Sequence, residues 1–215
     1  AAAPHRATVY ALFVVFFGLF GAAAPVVRDA ERGWIRRLLL TGYGARSWLL
    51  ERTAAHSLQD LLQLGPALAT VLWLEGAASG PAIPAAVAVG ALLALFTANL
   101  VGTVVGAAVR SLAEGALVCA ALGLAALHLA GAFRAPAPDT WQSLAAAASP
   151  FLPVLDACRA VAGAAGRWGG SAPVTGTWTT GSGVVPAAAV LFLIACAWAA
   201  APWIAARLTE GANRF

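Results

Sequence analysis

The chain has 215 residues, is 61% hydrophobic and only 10% charged, and carries a net charge of +4 from 13 arginines without a single lysine. Soluble domains carry roughly 25% charged residues, so a soluble globular protein is excluded and several apolar helices of about 20 residues, each crossing roughly 30 Å of hydrocarbon, are expected. The basic balance does not indicate nucleic acid, because the arginines sit in short segments between apolar runs and form no single basic face.

The first predicted span covers residues 7–27, with Phe13, Phe16, Phe17 and Phe20 as bulk and Pro25 near its inner end, where a local break costs least. It is too long for a signal core and no small-residue cleavage site follows, so it is read as a retained span. Position 1 is not methionine, which reads as a processed chain or a piece of a longer one. Residues 28–52 then gather six arginines and three acids. Charge this dense cannot stay in hydrocarbon, and its arginine excess marks a cytoplasmic loop. Within it Trp34, Leu38 and Leu39 oppose Arg32, Arg36 and Arg37 at helical spacing. That pattern predicts a short amphipathic interfacial helix, ended by Thr41-Gly42-Tyr43-Gly44.

The second span, residues 54–74, opens with polar side chains: His56, Gln59, Asp60 and Gln63 recur at helical spacing and share one face. An acid within a span is costly and normally lines water or finds a partner, which would place this face on a translocation path. The remaining apolar stretch, Leu61 to Leu74, measures only about 21 Å at 1.5 Å per residue, so Asp60 is expected near the inner edge, at headgroup depth. The third span, 82–109, contains Thr97, Asn99 and Thr103, able to hydrogen-bond between helices, and the close-packing pattern Gly102-x-x-x-Gly106. After a brief RSLAEG connection, the fourth span covers 114–133, with Glu114 and His128 near its ends.

An outer loop follows at 134–183, in which SPFLPVLDACRAVAGAAGRW predicts a short amphipathic helix and GGSAPVTGTWTTGSG reads as irregular chain. The fifth span is 184–206, before a short charged tail. Trp73, Trp198 and Trp203 near span ends suit interfacial anchors. The expected fold is all-α: one polytopic transmembrane domain over 1–215, with about five transmembrane helices.

Arginines count nine on the side of loop 28–52 and four on the other. That asymmetry puts the carboxyl end in the cytoplasm and the amino end of this chain outside, in a plasma (inner) membrane. Without lysine the phosphate-binding pattern GxxxxGK[ST] cannot occur, so ATP hydrolysis must belong to another chain or segment. HExxH, CxxC and GxSxG are absent as well, and three scattered histidines and three scattered cysteines offer no metal site or nucleophile pair. Neither catalytic residues nor a cofactor are expected in this chain.

The run VVRDAERGWIRRLLLTGYGARSWLLER resembles the first cytoplasmic loop of type-2 ATP-binding-cassette permeases: a span, an acid and arginine pair, a short helix, a leucine-rich turn and the next span. The order of later spans is similar too, with Ser149-Pro150-Phe151-Leu152-Pro153 falling in the long outer loop. The resemblance implies an exporter permease that pairs with a second permease copy and with two cytoplasmic ATPase domains, which would hold ATP and Mg. It makes the helix around Asp29 to Leu39 a coupling helix, with Asp29, Glu31, Arg32, Trp34, Arg36 and Arg37 toward the ATPase. The path candidates are Gln59, Asp60, Gln63, Thr97, Asn99 and Thr103. The family has six spans with both ends cytoplasmic, so residue 1 is expected in the first outer loop of a longer protein. Two other readings compete: a non-catalytic assembly or scaffold subunit, suited to the small residues, and a membrane-embedded enzyme or cofactor handler using His56, Asp60 and His128.

Overall fold

Hydrocarbon offers no partner to a backbone N–H or C=O, so a chain this apolar satisfies its backbone within helices. The computed structural model describes residues 6–76, 82–130, 133, 141–149, 151 and 184–210. Among these residues there are seven helices and no strand: α1 (Arg6–Glu31), α2 (Trp34–Leu40), α3 (Ala45–Gly76), α4 (Ala82–Ala108), α5 (Leu112–Leu129), α6 (Trp141–Ala148) and α7 (Val184–Glu210). Four of them, α1, α4, α5 and α7, are long and apolar enough to cross a membrane. The longest, α3, has 32 residues but is not among those four. Arg46, Glu51, Arg52, His56 and Asp60 in its first half keep its mean hydropathy down.

Several boundaries differ from expectation. The stretch 28–52 is no open loop: α1 runs on through Pro25 to Glu31, and α3 starts at Ala45. The RSLAEG connection is shorter than expected, because α5 begins within it at Leu112. Ser111 caps α5, its hydroxyl accepting from Glu114 N at 3.2 Å, while the Glu114 carboxylate accepts from Arg110 N at 2.8 Å. This is a close variant of the Ser-x-x-Glu capping box, and it pulls the helix start back to Leu112. In the outer loop, Trp141–Ala148 is helical where no helix was expected. The amphipathic helix predicted just after it and the irregular GGSAPVTGTWTTGSG segment lie outside the described residues.

α1 and α4 share the most extensive contact in the bundle, with α5 against α1, and with α3 and α7 against α4. Helices in lipid gain little from water exclusion and are held by close packing. Gly102 and Gly106 provide it. A Cβ on Gly106 would stand 2.6 Å from Ala23 O and 2.9 Å from Val26 Cβ, and one on Gly102 would run into the Leu19 carbonyl. The expected close-packing pattern is thus a seam of α4 backbone on α1 backbone. One apolar cluster joins Val14, Val15 and Leu19 to Leu95, Ala98, Cys119 and Leu127; a second, toward the arginine-rich end, joins Val26 to Ile35, Trp48, Leu49, Leu100 and Ile204. Phe13, Phe17, Leu117, Leu124, Leu191 and Phe192 point outward.

Candidate functional site

Two polar assemblies interrupt this apolar bundle. The first caps its arginine-rich end. Gly33, at φ 68° and ψ 13°, stops α1 and starts α2 in a left-handed conformation that suits glycine. Asp29 and Glu31 therefore belong to the end of α1, and the short helix is Trp34–Leu40, not a single element from Asp29 to Leu39. At its far end Thr41 Oγ1 donates to Leu38 O at 2.6 Å, and Gly42, at φ 88°, turns the chain into α3. The Thr41–Gly44 turn lies where the sequence places it.

Ile35 is the buried side chain of α2 and is seated among Val26, Trp48, Leu49, Ile204 and Leu208. Leu38 and Leu39 pack half-buried against the same cluster, while the other side of α2 faces outward: Trp34 is 57% exposed and Leu40 71%, with Arg36 and Arg37 exposed beside them. Two of the three acids of the cap are already engaged. Asp29 Oδ2 accepts from Arg52 Nη2 at 2.7 Å, tying α1 to α3, and the Tyr43 hydroxyl donates to the Glu51 carboxylate across the turn. That hydrogen bond, helped by the acid's charge, holds the Tyr43 hydroxyl above its ordinary phenol value. Among the described residues, Arg32, Arg36 and Arg37 make no ion pair. The structure thus gathers Glu31, Arg32, Trp34, Arg36 and Arg37 at one exposed end and turns Asp29 inward. Arg46 lies over the Trp198 ring at 5.3 Å and Arg207 over Trp203 at 5.6 Å, an arrangement suited to interfacial anchors; the Trp73 side chain lies outside the described residues.

The second assembly is a polar seam inside the bundle. Thr53, Ser57 and Asp60 are buried along one side of α3, and Asn99, which meets Asp60, and Thr103 are buried on α4; Thr97 is buried too, but about 200° round α4 from Asn99, on another side of that helix. The threonines and the serine return their hydroxyls to their own helices: Thr53 to Leu49 O, Ser57 to Thr53 O, Thr97 to Leu93 O and Thr103 to Asn99 O. Only Asn99 reaches across, its Nδ2 donating to Asp60 Oδ2 at 2.9 Å. Asp60 is 5% exposed, so it is enclosed by neighbouring helices and not open to the surface of the bundle. From its partner Asn99 to Arg110 is about 16 Å along α4, roughly half the hydrocarbon thickness.

The four polar residues of α3 share a face but not an environment. His56, Gln59, Asp60 and Gln63 share an arc of about 100°, but the buried side of α3, marked by Leu49, Thr53, Ser57 and Leu64, lies to one side of it. Asp60 therefore faces inward, His56 is half-buried, and Gln59 and Gln63 are exposed. His128 is exposed on α5, a helix that does not pack closely on α3. His56 and His128 share no site, and among the described residues no group of histidines, cysteines and acids could hold a metal.

A cavity of about 270 Å³ lies between α1, α4, α5, α6 and α7. Thr97 and Ser149 bring hydroxyls to walls that are otherwise made of residues such as Leu19, Val101, Leu122 and Phe151. Sequence reasoning missed Ile35, Arg52 and the α6 wall of this cavity. The spacing of Ile35 with Leu38 and Leu39, at i, i+3 and i+4 on a short helix, was the available signal for the first.

No curated protein and no solved structure gave a significant match to this chain. The family model described as ABC-2 type transporter matches residues 3–162, well over half of it. That match covers the arginine-rich cap, the polar seam and the glycine seam together. The chain belongs to the ABC-2 type transporter family and is the membrane permease component of a transporter, not itself catalytic.

Proposed function

We propose that this permease belongs to an ATP-driven exporter and that α2 is the element on which a cytoplasmic ATPase acts. The observation that supports it best is the seating of α2: one inward isoleucine, with Trp34, Arg36, Arg37 and Leu40 left on the outer surface beside Glu31 and Arg32. A short helix anchored in this way offers an apolar ridge flanked by unpaired cations to a complementary acidic groove. ATP and Mg would be held by that partner, since this chain has no lysine for a phosphate-binding loop. In this reading a second permease copy packs beside this one in the bilayer, and the arginine asymmetry supports a cytoplasmic carboxyl end with the amino end of this chain outside, in the plasma membrane. Of the path candidates, Gln59 and Gln63 are exposed on α3 and Thr97 lines the cavity, while Asp60, Asn99 and Thr103 are buried within the bundle.

Arg32→Glu combined with Arg36→Glu tests this in the reconstituted complex. The permease should insert and melt as wild type does, while its stimulation of the ATPase falls by about tenfold or more through repulsion and lost charge-assisted contacts. Undiminished stimulation with the reversed charges in place would refute the assignment.

A further inference from the structure

Asn99 has no exposed surface, and both hydrogens of its amide are already used: Nδ2 donates to Asp60 Oδ2 at 2.9 Å and to Leu95 O at 3.0 Å. Its carbonyl is left over. Asn99 Oδ1 is buried without a donor, although an amide oxygen can accept two hydrogen bonds. An ionised Asp60 cannot help, because a carboxylate only accepts. Turning the amide over makes matters worse, since Oδ1 would then face the Asp60 carboxylate and the Leu95 carbonyl, two acceptors.

The charges around the pair do not compensate an anion. On α3, Arg52 lies two turns away and is committed to Asp29 of α1, while His56 is one turn away and half-buried. Helix α4 carries no ionisable side chain at all. On α7, Arg207 is placed over Trp203, and Cys196 is exposed. A bare carboxylate at this depth, with one neutral amide as partner, is heavily penalised.

We propose that Asp60 and Asn99 form a proton-binding site inside the bundle, in which Asp60 is a neutral carboxylic acid whose hydrogen serves the orphaned Asn99 carbonyl. The proton comes from water, no other bond is made or broken, and the acid and the amide then complement each other as donor and acceptor in both directions. This site is independent of ATPase coupling at α2, and its test needs neither cargo nor ATP.

The full-length protein in lipid nanodiscs is compared with Asp60→Asn and Asp60→Leu by infrared spectroscopy at neutral pH and by thermal unfolding. The wild type should show the carbonyl stretch of a protonated carboxyl that shifts in deuterium oxide and is missing from Asp60→Asn. Asp60→Asn should melt like wild type, because a second amide can both accept from Nδ2 and donate to Oδ1. Asp60→Leu, which leaves the Asn99 carbonyl orphaned and removes the acceptor of its Nδ2, should reduce the folded-to-unfolded ratio by about tenfold or more. Absence of the acid band, or an Asp60→Asn variant as damaged as Asp60→Leu, would overturn the proposal. Sodium-dependent stabilisation lost in Asp60→Asn would also overturn it, because it would mark a cation held by an ionised carboxylate.

Discussion

On an isolated helix, replacing glycine with alanine stabilises by about 1 kcal/mol, because glycine gives up more backbone freedom on folding. At Gly102 and Gly106 the sign should reverse. The new carbon at 106 would lie 2.6 Å from Ala23 O and 2.9 Å from Val26 Cβ, so α1 must retreat by roughly 0.5–1 Å to restore ordinary contact. At 102 the obstacle is the Leu19 carbonyl together with Leu19 Cα at 3.0 Å, a backbone with no rotamer to change. Overpacking of this kind costs about 1–3 kcal/mol, which leaves each single variant up to roughly 2 kcal/mol less stable after the helix-propensity gain is subtracted. The two sites share one retreat of α1, so the double variant should lose less than the sum of the singles. Thermal unfolding in nanodiscs measures this, with Gly115→Ala as the control. There the added carbon meets Val109 Cγ2 at an ordinary 3.4 Å, and stability should hold or rise. If Gly102→Ala and Gly106→Ala rise with the control, α4 does not rest on the α1 backbone.

Two further outcomes follow from the caps and turns. Ser111→Ala removes the acceptor for Glu114 N and should cost about 1 kcal/mol, whereas Ser111→Asp should retain most of the stability; thermal unfolding distinguishes them. With Tyr10→Phe leaving Tyr43 as the remaining tyrosine, its phenolate absorbance should appear at a pH above the ordinary value of about 10, and Glu51→Gln should bring it back down. Because the folded value is raised, whatever the Tyr43–Glu51 contact contributes is present in full below the ordinary value and is lost as pH climbs through the raised one.

Run length and composition made the order of the long helices legible, because a span must be apolar for its whole crossing and no tertiary context changes that requirement. The glycine turn at Thr41–Gly44 was legible for a similar local reason. Gly33 was also readable as a helix stop, yet the charge pattern across it suggested one continuous helix. The α5 start was written in Ser111-x-x-Glu114, a signal obscured by reading RSLAEG as a connection between spans. The inward turn of Asp60 was not legible. Periodicity fixes which residues share a face but not which neighbour covers it, and the cover here comes from Asn99, 39 positions along the chain. The α6 helix escaped for another reason: four alanines after Trp141, Gln142, Ser143 and Leu144 favour a helix, but eight residues are too few to show a period.

The seating of Ile35 has a mechanical consequence. A seven-residue helix hung only from its two glycine turns would swing when pushed and pass little of the load onward. With one side chain lodged where the ends of α1, α3 and α7 meet, α2 behaves as a bolt, and a force on its outer face is divided among three shafts at once. The α7 shaft, 27 residues or about 40 Å long, reaches from that end of the bundle to the other. A displacement of an ångström at the bolt is therefore delivered as a tilt of whole helices, largest at the end farthest from where the force is applied.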